Sequence, residues 1–273
     1  MTAMADRVET LDVDLFSFVP MQALGSDKRA LLALHAAVAA TETPFAYLEI
    51  CSFRGGSLQA LVADPRCSCL MSIDPRTAET PDETRGAYTY QENTTALMLE
   101  FLSQVPGADL GKLAAFETTT EAMDPVALPQ RPDCCFIDGE HTNDAVLNDA
   151  RFCAEALGGA GVIAFHDWGI VRPAIRAFVR ERRRDISFAL AINRPLNPGA
   201  GYGVFALELG EQGILRHAAL ERATGARSYG IWAAVNGPRR SALPLVLAWD
   251  ALTAIDSMRA RARRLARGGQ QRA

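Results

Sequence analysis

The stretch FAYLEICSFRGGSLQALVADPRCSCLMSID, residues 45–74, decides the fold class of this chain. It predicts a short buried strand, a turn that contains Gly55 and Gly56, a helix, and a second apolar strand that ends at Asp74. A strand, a helix and a strand within about 30 residues form a βαβ unit, which is typical of a parallel sheet. We therefore predict an α/β fold with a doubly wound, Rossmann-like sheet.

The same alternation of strands and helices continues along the chain. Candidate strands lie at 113–118, 134–138 and 161–167, and a helix separates the last two. Residues 186–192 and 202–209 are predicted to close the sheet as an antiparallel pair. Together with the first two strands, these segments predict a seven-stranded, mostly parallel sheet.

The strand pattern also predicts the domain organisation. Residues 1–209 are expected to form one domain, with an N-terminal helical cap at 1–44 and a core at 45–209. Residues 210–273 are rich in alanine and helical in pattern, so they are predicted to form a helical C-terminal extension. The apolar helices at both ends favour a homo-oligomer.

Composition argues against several classes of partner. Lys and Arg total 28 and Asp and Glu total 32, so the formal net charge is −4 and no overall basic field favours nucleic acid. No apolar run reaches the roughly 18 residues that a membrane-spanning helix needs, and the N-terminus has no apolar signal region. The six cysteines lack the spacing of a structural zinc site. We expect a soluble, cytoplasmic protein with no nucleic-acid partner and no membrane span.

Acidic residues end four of the first five predicted strands. They are Glu49, Asp74, Asp138 and Asp167. In an open parallel sheet, ligands bind outside the carboxyl ends of the strands. We therefore predict that these carboxylates surround a binding site.

The turn after the first strand favours one class of cofactor. Gly55 and Gly56 allow the backbone to approach a ligand closely, but the GxGxxG pattern of a dinucleotide site is missing. Glu49 precedes the turn and would repel a phosphate, whereas it suits a ligand with a cationic amino group. Asp74, 25 residues further on, is placed to accept hydrogen bonds from both hydroxyls of a ribose. Together, the glycine turn with Glu49 and the position of Asp74 favour an adenosyl ligand that carries a charged amino acid over NAD.

These motifs resemble those of class I S-adenosylmethionine-dependent methyltransferases. LEICSFRGGS at 48–57 is similar to the first motif of the family, and SIDP at 72–75 to the second. FIDGEH at 136–141 and GVIAFHD at 161–167 resemble a branch that contains macrocin-type sugar O-methyltransferases and cephalosporin-hydroxylase-like proteins. The resemblance covers roughly residues 45–170.

The resemblance implies a set of cofactor-binding residues. Seven residues are predicted to bind S-adenosylmethionine: Glu49, Gly55, Gly56, Ser57, Asp74, Thr119 and Thr120. For Thr119 and Thr120, contact with the adenine edge and a structural role in a turn or helix cap agree equally well with the sequence. Cys51 departs from the family pattern, in which glycine is usual at this position.

The same branch holds magnesium, which implies a metal site here. Asp138 and Asp167 end neighbouring strands about 4.8 Å apart, so we predict that they bind Mg²⁺ or a similar divalent cation. The metal would orient two vicinal substrate hydroxyls and lower the pKa of one. His141 is predicted to remove the hydroxyl proton, and the alternative is a helix-terminal histidine without a role. If the strand continues, His166 is expected to point to the opposite face; a role in packing or in supporting the site is favoured, and a role as a metal ligand is the alternative.

The predicted function is metal-assisted O-methylation of a hydroxyl on a sugar or sugar-bearing metabolite, a small-molecule hydroxylated substrate. A nicotinamide oxidoreductase is disfavoured by the missing GxGxxG, and a hydroxylase by the lack of a His/carboxylate iron triad. The alternative from another class is a non-catalytic methyltransferase fold that serves as a partner or scaffold in a biosynthetic cluster. Residues 1–25, 76–92 and 195–201 are expected to shape the acceptor pocket.

Overall fold

The computed structural model describes residues 3–77, 79–83, 86–193 and 203–235. Nine strands lie within these ranges: β1 (Phe45–Ile50), β2 (Cys67–Ile73), β3 (Glu79–Asp82), β4 (Gly86–Thr89), β5 (Leu113–Phe116), β6 (Cys134–Ile137), β7 (Gly161–Phe165), β8 (Ile186–Ala191) and β9 (Phe205–Leu209). The α-helices in the same ranges are α1 (Ala3–Glu9), α2 (Gly25–Thr41), α3 (Gln59–Ala63), α4 (Thr95–Ser103), α5 (Asn143–Ala156), α6 (Arg172–Glu181), α7 (Ala218–Thr224) and α8 (Ala226–Val235).

Seven of the strands form one sheet in the order β5-β2-β1-β6-β7-β9-β8. The strands β5, β2, β1, β6 and β7 run parallel to one another, whereas β9 is antiparallel to both β7 and β8. The strand order reverses between β1 and β6, which is where ligands bind in folds of this kind. The predicted doubly wound, seven-stranded sheet is therefore confirmed.

The central strands are apolar because helices cover both faces of a parallel sheet. Every residue of β1 and of β6 is buried, including the one acidic side chain in β1, Glu49. The long helix α2 is also largely buried and packs against α7. None of the described helices is long and apolar enough to cross a membrane.

Helices α7 and α8 belong to the predicted C-terminal extension, and α7 packs against a helix of the predicted N-terminal cap. The domain division at residue 209 stays a prediction. Residues 236–273, and with them the rest of the predicted helical extension, lie outside the described residues. The predicted pocket segment 195–201 lies outside them as well.

A hairpin of β3 and β4 forms a second, two-stranded sheet. It lies within 76–92, a segment that the sequence predicts only as part of the pocket wall. Two backbone hydrogen bonds join it to the loop after β6: the His141 N–H donates to the Pro81 carbonyl at 3.2 Å, and the Glu83 N–H donates to the His141 carbonyl at 3.2 Å. The Glu83 carboxylate also accepts from the backbone N–H of Asn143 at 2.7 Å. The hairpin is therefore held against the beginning of α5.

Candidate active site

A cavity of about 570 Å³ opens where β1, β2, β6 and β7 end. This volume lies within the roughly 300–1,000 Å³ that is typical of small-molecule sites. One part of its wall, the turn side, consists of residues 51–53, Gly56, Ser57, Asp74, Asn93 and Thr119. The other part, the hairpin side, is formed by residues 20–24, 79–81, Tyr88, Tyr90, 138–141, His166 and Asp167, and Pro75 and Thr77 complete the wall.

Asp74 stabilises the turn that follows β1. Its Oδ2 accepts a hydrogen bond from the backbone N–H of Phe53 at 3.0 Å, and its Oδ1 accepts one from the backbone N–H of Arg76 at 2.8 Å. The Arg76 guanidinium lies 3.1 Å from Oδ2. Asp74 is nevertheless part of the cavity wall. The carboxylate is thus oriented by the backbone at the position where the sequence predicts a ribose-binding group.

Glu49 lies one layer behind the cavity wall. Its side chain is buried, and its carboxyl accepts hydrogen bonds from the Ser57 hydroxyl and, at 3.2 Å, from the Tyr47 hydroxyl. Burial raises the pKa of Glu49 to about 8, and the negative charge of Asp138 acts in the same direction. Ser57 lines the cavity, so its hydroxyl lies between the Glu49 carboxyl and the cavity. The predicted direct contact between Glu49 and an amino group stays a prediction.

The paired glycines after β1 are required by the packing of the protein itself. Gly55 has φ +79°, and a Cβ there would lie 2.9 Å from the Leu102 side chain. A Cβ on Gly56 would lie 2.7 Å from the carbonyl oxygen of Pro20. Gly56 lines the cavity, whereas Gly55 is not among its wall residues. The turn therefore brings the N-terminal loop close to the predicted cofactor motif.

Cys51, which departs from the family pattern, adopts the left-handed backbone conformation that favours glycine. Its φ is +64°, a conformation that costs a non-glycine residue roughly 1–2 kcal/mol. A Cβ on Gly139 would lie 2.9 Å from the Cys51 sulfur. The cysteine therefore fits because residue 139 has no side chain.

The two threonines after β5 have different surroundings. Thr119 lines the cavity, whereas Thr120 is buried and its hydroxyl donates to Asp149 Oδ1 at 2.6 Å. Asp149 is also buried, because α5 turns this side chain towards the loop after β5. Burial raises the pKa of Asp149 to about 7.

Three carboxylates surround the imidazole of His166. Its Nδ1 lies 2.8 Å from Asp138 Oδ1 and 3.4 Å from Asp167 Oδ1, and its Nε2 lies 3.7 Å from Asp27 Oδ2. Burial opposes the charged form, but the carboxylates outweigh it and hold the pKa of His166 well above its ordinary value. His166 is therefore a buried imidazolium at the cavity wall.

The expectation that His166 points to the opposite face is wrong. The strand β7 ends at Phe165, two residues before the predicted end, and Asp167 has φ +49°. The alternation of side chains along a strand therefore stops before His166. As a result both His166 and Asp167 reach the cavity.

His141 lies between two carboxylates. Its Nδ1 is 3.1 Å from Asp82 Oδ2, and its Nε2 is 3.3 Å from Asp167 Oδ2. Asp82 is buried and comes from β3, so the hairpin supplies the carboxylate that orients the ring. Sequence reasoning missed Asp82, which is 59 residues from His141 and has no local signal that connects it to the site.

Asp138 and Asp167 converge as the sequence predicts, but they converge on the imidazolium of His166. Mg²⁺ prefers an octahedral shell of oxygen ligands, whereas here one oxygen of each aspartate faces a protonated nitrogen. In the described part of the chain, no group of three or more His, Cys, Asp or Glu side chains is arranged to hold a metal ion. The residues as they lie therefore do not fit the predicted magnesium ion.

The doubly wound sheet and the cavity at the ends of its strands can be compared with known proteins. Residues 48–168 match the model of a family described as a methyltransferase domain. The match confirms the resemblance that the motifs carry. A curated relative, the uncharacterized protein R132 of Acanthamoeba polyphaga mimivirus, is 27% identical over 124 residues, which are 45% of this chain and 51% of the relative. The chain thus spans about half the length of the curated relative that it matches.

Solved structures share the fold. The O-methyltransferase NovP superposes with a TM-score of 0.50 and 14% identity over 67% of this chain and 81% of that chain. The O-methyltransferase TomG from Streptomyces achromogenes, in complex with SAM, has a TM-score of 0.48 and 14% identity over 77% of this chain and 91% of that chain. At such identities the likeness to NovP concerns the fold alone.

The raised pKa of Glu49 predicts a pH-dependent stability. Between the ordinary value of 4.5 and about 8, the folded protein keeps a proton that the unfolded chain has lost. The free energy of unfolding should therefore fall by about 1.4 kcal/mol per pH unit as the pH rises through this window. Glu49→Gln lacks this titration. From about pH 6 to about pH 7.5, the free energy of unfolding of the variant should therefore rise by about 2 kcal/mol relative to that of wild type.

Urea unfolding at the two pH values measures this shift. The control is Glu155→Gln, which alters an exposed glutamate of α5 and should leave the pH dependence of wild type unchanged. A difference between wild type and Glu49→Gln that stays constant with pH would contradict the prediction.

Proposed function

We propose that the protein transfers a methyl group from S-adenosylmethionine to a hydroxyl of a sugar or sugar-bearing metabolite. The observation that carries this proposal is that a single cavity is lined both by the residues of the first two motifs and by a histidine with a carboxylate partner. A methyl donor at Ser57 and Asp74 would share this cavity with an acceptor at His141.

The chemistry of the cavity wall suits S-adenosylmethionine. Among the described residues of the wall there is no Lys or Arg, which favours a ligand without phosphate groups. Asp74 would accept hydrogen bonds from the ribose hydroxyls, Ser57 would contact the methionine part, and Thr119 would meet the adenine edge. When bound, S-adenosylmethionine supplies an electrophilic methyl group on a sulfonium sulfur.

His141 is the proposed general base. Its Nδ1 faces Asp82, which fixes the ring, and its Nε2 lies 3.3 Å from Asp167 Oδ2. The acceptor hydroxyl would replace Asp167 beside Nε2 and give its proton to that nitrogen. As the proton leaves, the acceptor oxygen bonds to the methyl carbon and the carbon–sulfur bond breaks, with S-adenosylhomocysteine as the second product. The protein contributes orientation and one proton acceptor, which is sufficient because the donor is already activated.

We propose that this methyl transfer does not require a metal ion. The sequence predicts Mg²⁺ between Asp138 and Asp167, and the imidazolium of His166 lies in contact with both carboxylates. The positive charge that a metal would bring is thus supplied by a side chain of the protein.

The cofactor site is tested by isothermal titration calorimetry with S-adenosylhomocysteine. Wild type should bind, and Asp74→Asn should weaken the affinity about tenfold or more, because the ribose hydroxyls lose a charged acceptor. The control is Asp109→Asn, an exposed aspartate that caps a short helical turn outside the cavity wall. If wild type does not bind, the methyltransferase proposal fails and the non-catalytic scaffold becomes the better hypothesis.

The general base is tested by His141→Gln. In an assay of S-adenosylhomocysteine release with a panel of hydroxylated sugars, the variant should lower kcat about 10²–10⁴-fold on whichever acceptor wild type methylates. Binding of S-adenosylhomocysteine should not change. His217→Gln, which alters the cap of α7, is the matched control. If His141→Gln keeps full kcat while Asp138→Asn loses it, the base is Asp138.

Metal removal tests the role of His166 as the cation of the site. The rate of methyl transfer should be the same in excess EDTA as in excess Mg²⁺. A rate that EDTA abolishes and Mg²⁺ restores would show instead that Asp138 and Asp167 exchange His166 for a metal ion during the reaction.

A further inference from the structure

Two carboxylates on the hairpin side of the cavity have no part in the proposed methyl transfer. Glu79 comes from β3 and Glu140 from the loop that precedes His141. Within the described ranges, no Lys, Arg or His lies within ion-pair distance of either one. Glu140 is half-buried and accepts a hydrogen bond only from the neutral Thr142 hydroxyl, at 2.6 Å. Glu79 is exposed, and both carboxylates lie at the cavity wall, where neither forms an ion pair with a described cation.

Aromatic side chains complete the same part of the wall. The rings of Tyr88 and Tyr90 lie 4.9 Å apart, and the ring of Tyr90 lies 4.9 Å from that of Phe53. The amide of Gln22 donates to the Tyr88 hydroxyl at 3.0 Å and ties the hairpin to the N-terminal loop. This row of rings runs from the hairpin to the turn side. The Arg54 guanidinium lies 5.1 Å from the centre of the Phe53 ring, so Tyr88 and Tyr90 are the rings that offer an apolar face to a sugar ring and a negative face to a cation.

Tyr90 connects this wall to the reaction centre. Burial and then the negative charge of Asp138 raise the pKa of the Tyr90 hydroxyl, with Asp167 acting in the same direction. The phenol therefore stays neutral, and it lines the same cavity as His141 and the carboxylates that surround His166. An acceptor that stacks on Tyr90 would lie in this cavity, next to Phe53 of the turn side.

We propose that the acceptor is a hydroxylated ring with a positively charged amino group, as in an amino sugar. Tyr88 and Tyr90 contact the ring and its cationic substituent, and Glu79 and Glu140 balance the charge. This inference rests on the proposed function, because it names the acceptor of the same site. It also excludes acceptors with phosphate or carboxylate groups beside the reacting hydroxyl, since these carboxylates repel them.

The test uses sugars of one ring type and different charge. With S-adenosylhomocysteine bound, the affinities for D-glucosamine, D-glucose and D-glucuronate are measured by ligand-observed NMR. Glucosamine should bind about tenfold more tightly than glucose, because its amino group gains modest contacts with the tyrosine rings and with the glutamates. Glucuronate should bind most weakly. The preference for glucosamine should decrease as KCl is added, because salt screens partly exposed charges.

A double variant assigns the preference to the two glutamates. Glu79→Gln/Glu140→Gln should bind glucosamine and glucose equally, with unchanged affinities for glucose and for S-adenosylhomocysteine. Glu100→Gln/Glu155→Gln changes the net charge by the same amount at exposed helix positions and should keep the preference. If the double variant no longer binds S-adenosylhomocysteine, Glu140→Gln alone is used. This variant should lower the ratio of the affinities for glucosamine and glucose at least twofold.

The outcomes separate the two proposals. Binding of S-adenosylhomocysteine without a preference for glucosamine, or without detectable binding of glucosamine, overturns the amino-group inference and leaves the methyltransferase proposal intact. A preference that persists in the glutamate variants also overturns it. Absence of S-adenosylhomocysteine binding overturns the proposed function itself.

Discussion

The buried charge of His166 is the constraint on which the site depends. An imidazolium with a side-chain exposure of 6% has lost most of its hydration, and only close carboxylates offset that cost. They come from three parts of the chain: Asp27 in α2, Asp138 after β6 and Asp167 after β7. The N-terminal helix and the carboxyl ends of two central strands are thereby joined at one point of the cavity wall.

The parallel register of the sheet makes this convergence possible. Ile137 of β6 lies opposite Phe165 of β7, so the residues that follow the two strands emerge side by side. The left-handed backbone at Asp167 then turns the chain, which brings two consecutive side chains into the cavity. The hairpin adds a carboxylate for His141 and most of the aromatic wall. The orientation of His141 and the aromatic part of the cavity wall consequently depend on the same small sheet.

The strands of the main sheet could be predicted to within a few residues because each is a short apolar run between turn residues. The predicted strand 134–138 corresponds to β6 at Cys134–Ile137, and the predicted strand 186–192 to β8 at Ile186–Ala191. The hairpin could not be predicted in this way. Its strands contain Pro81 and Gly86, are mostly exposed, and have no alternation of apolar and polar residues. It forms because its backbone pairs with a loop more than 50 residues away.

The sequence by itself determined the parallel sheet, the turn after β1 and the presence of acidic residues at the strand ends, since all of these depend on local pattern. Only the tertiary structure decided the role of each polar group. It placed Glu49 behind Ser57, paired Asp82 with His141, and brought Asp27 to His166. These contacts join residues whose distance depends on strand register and loop path. Such distances are set by the packing of the whole domain, and no short segment encodes them.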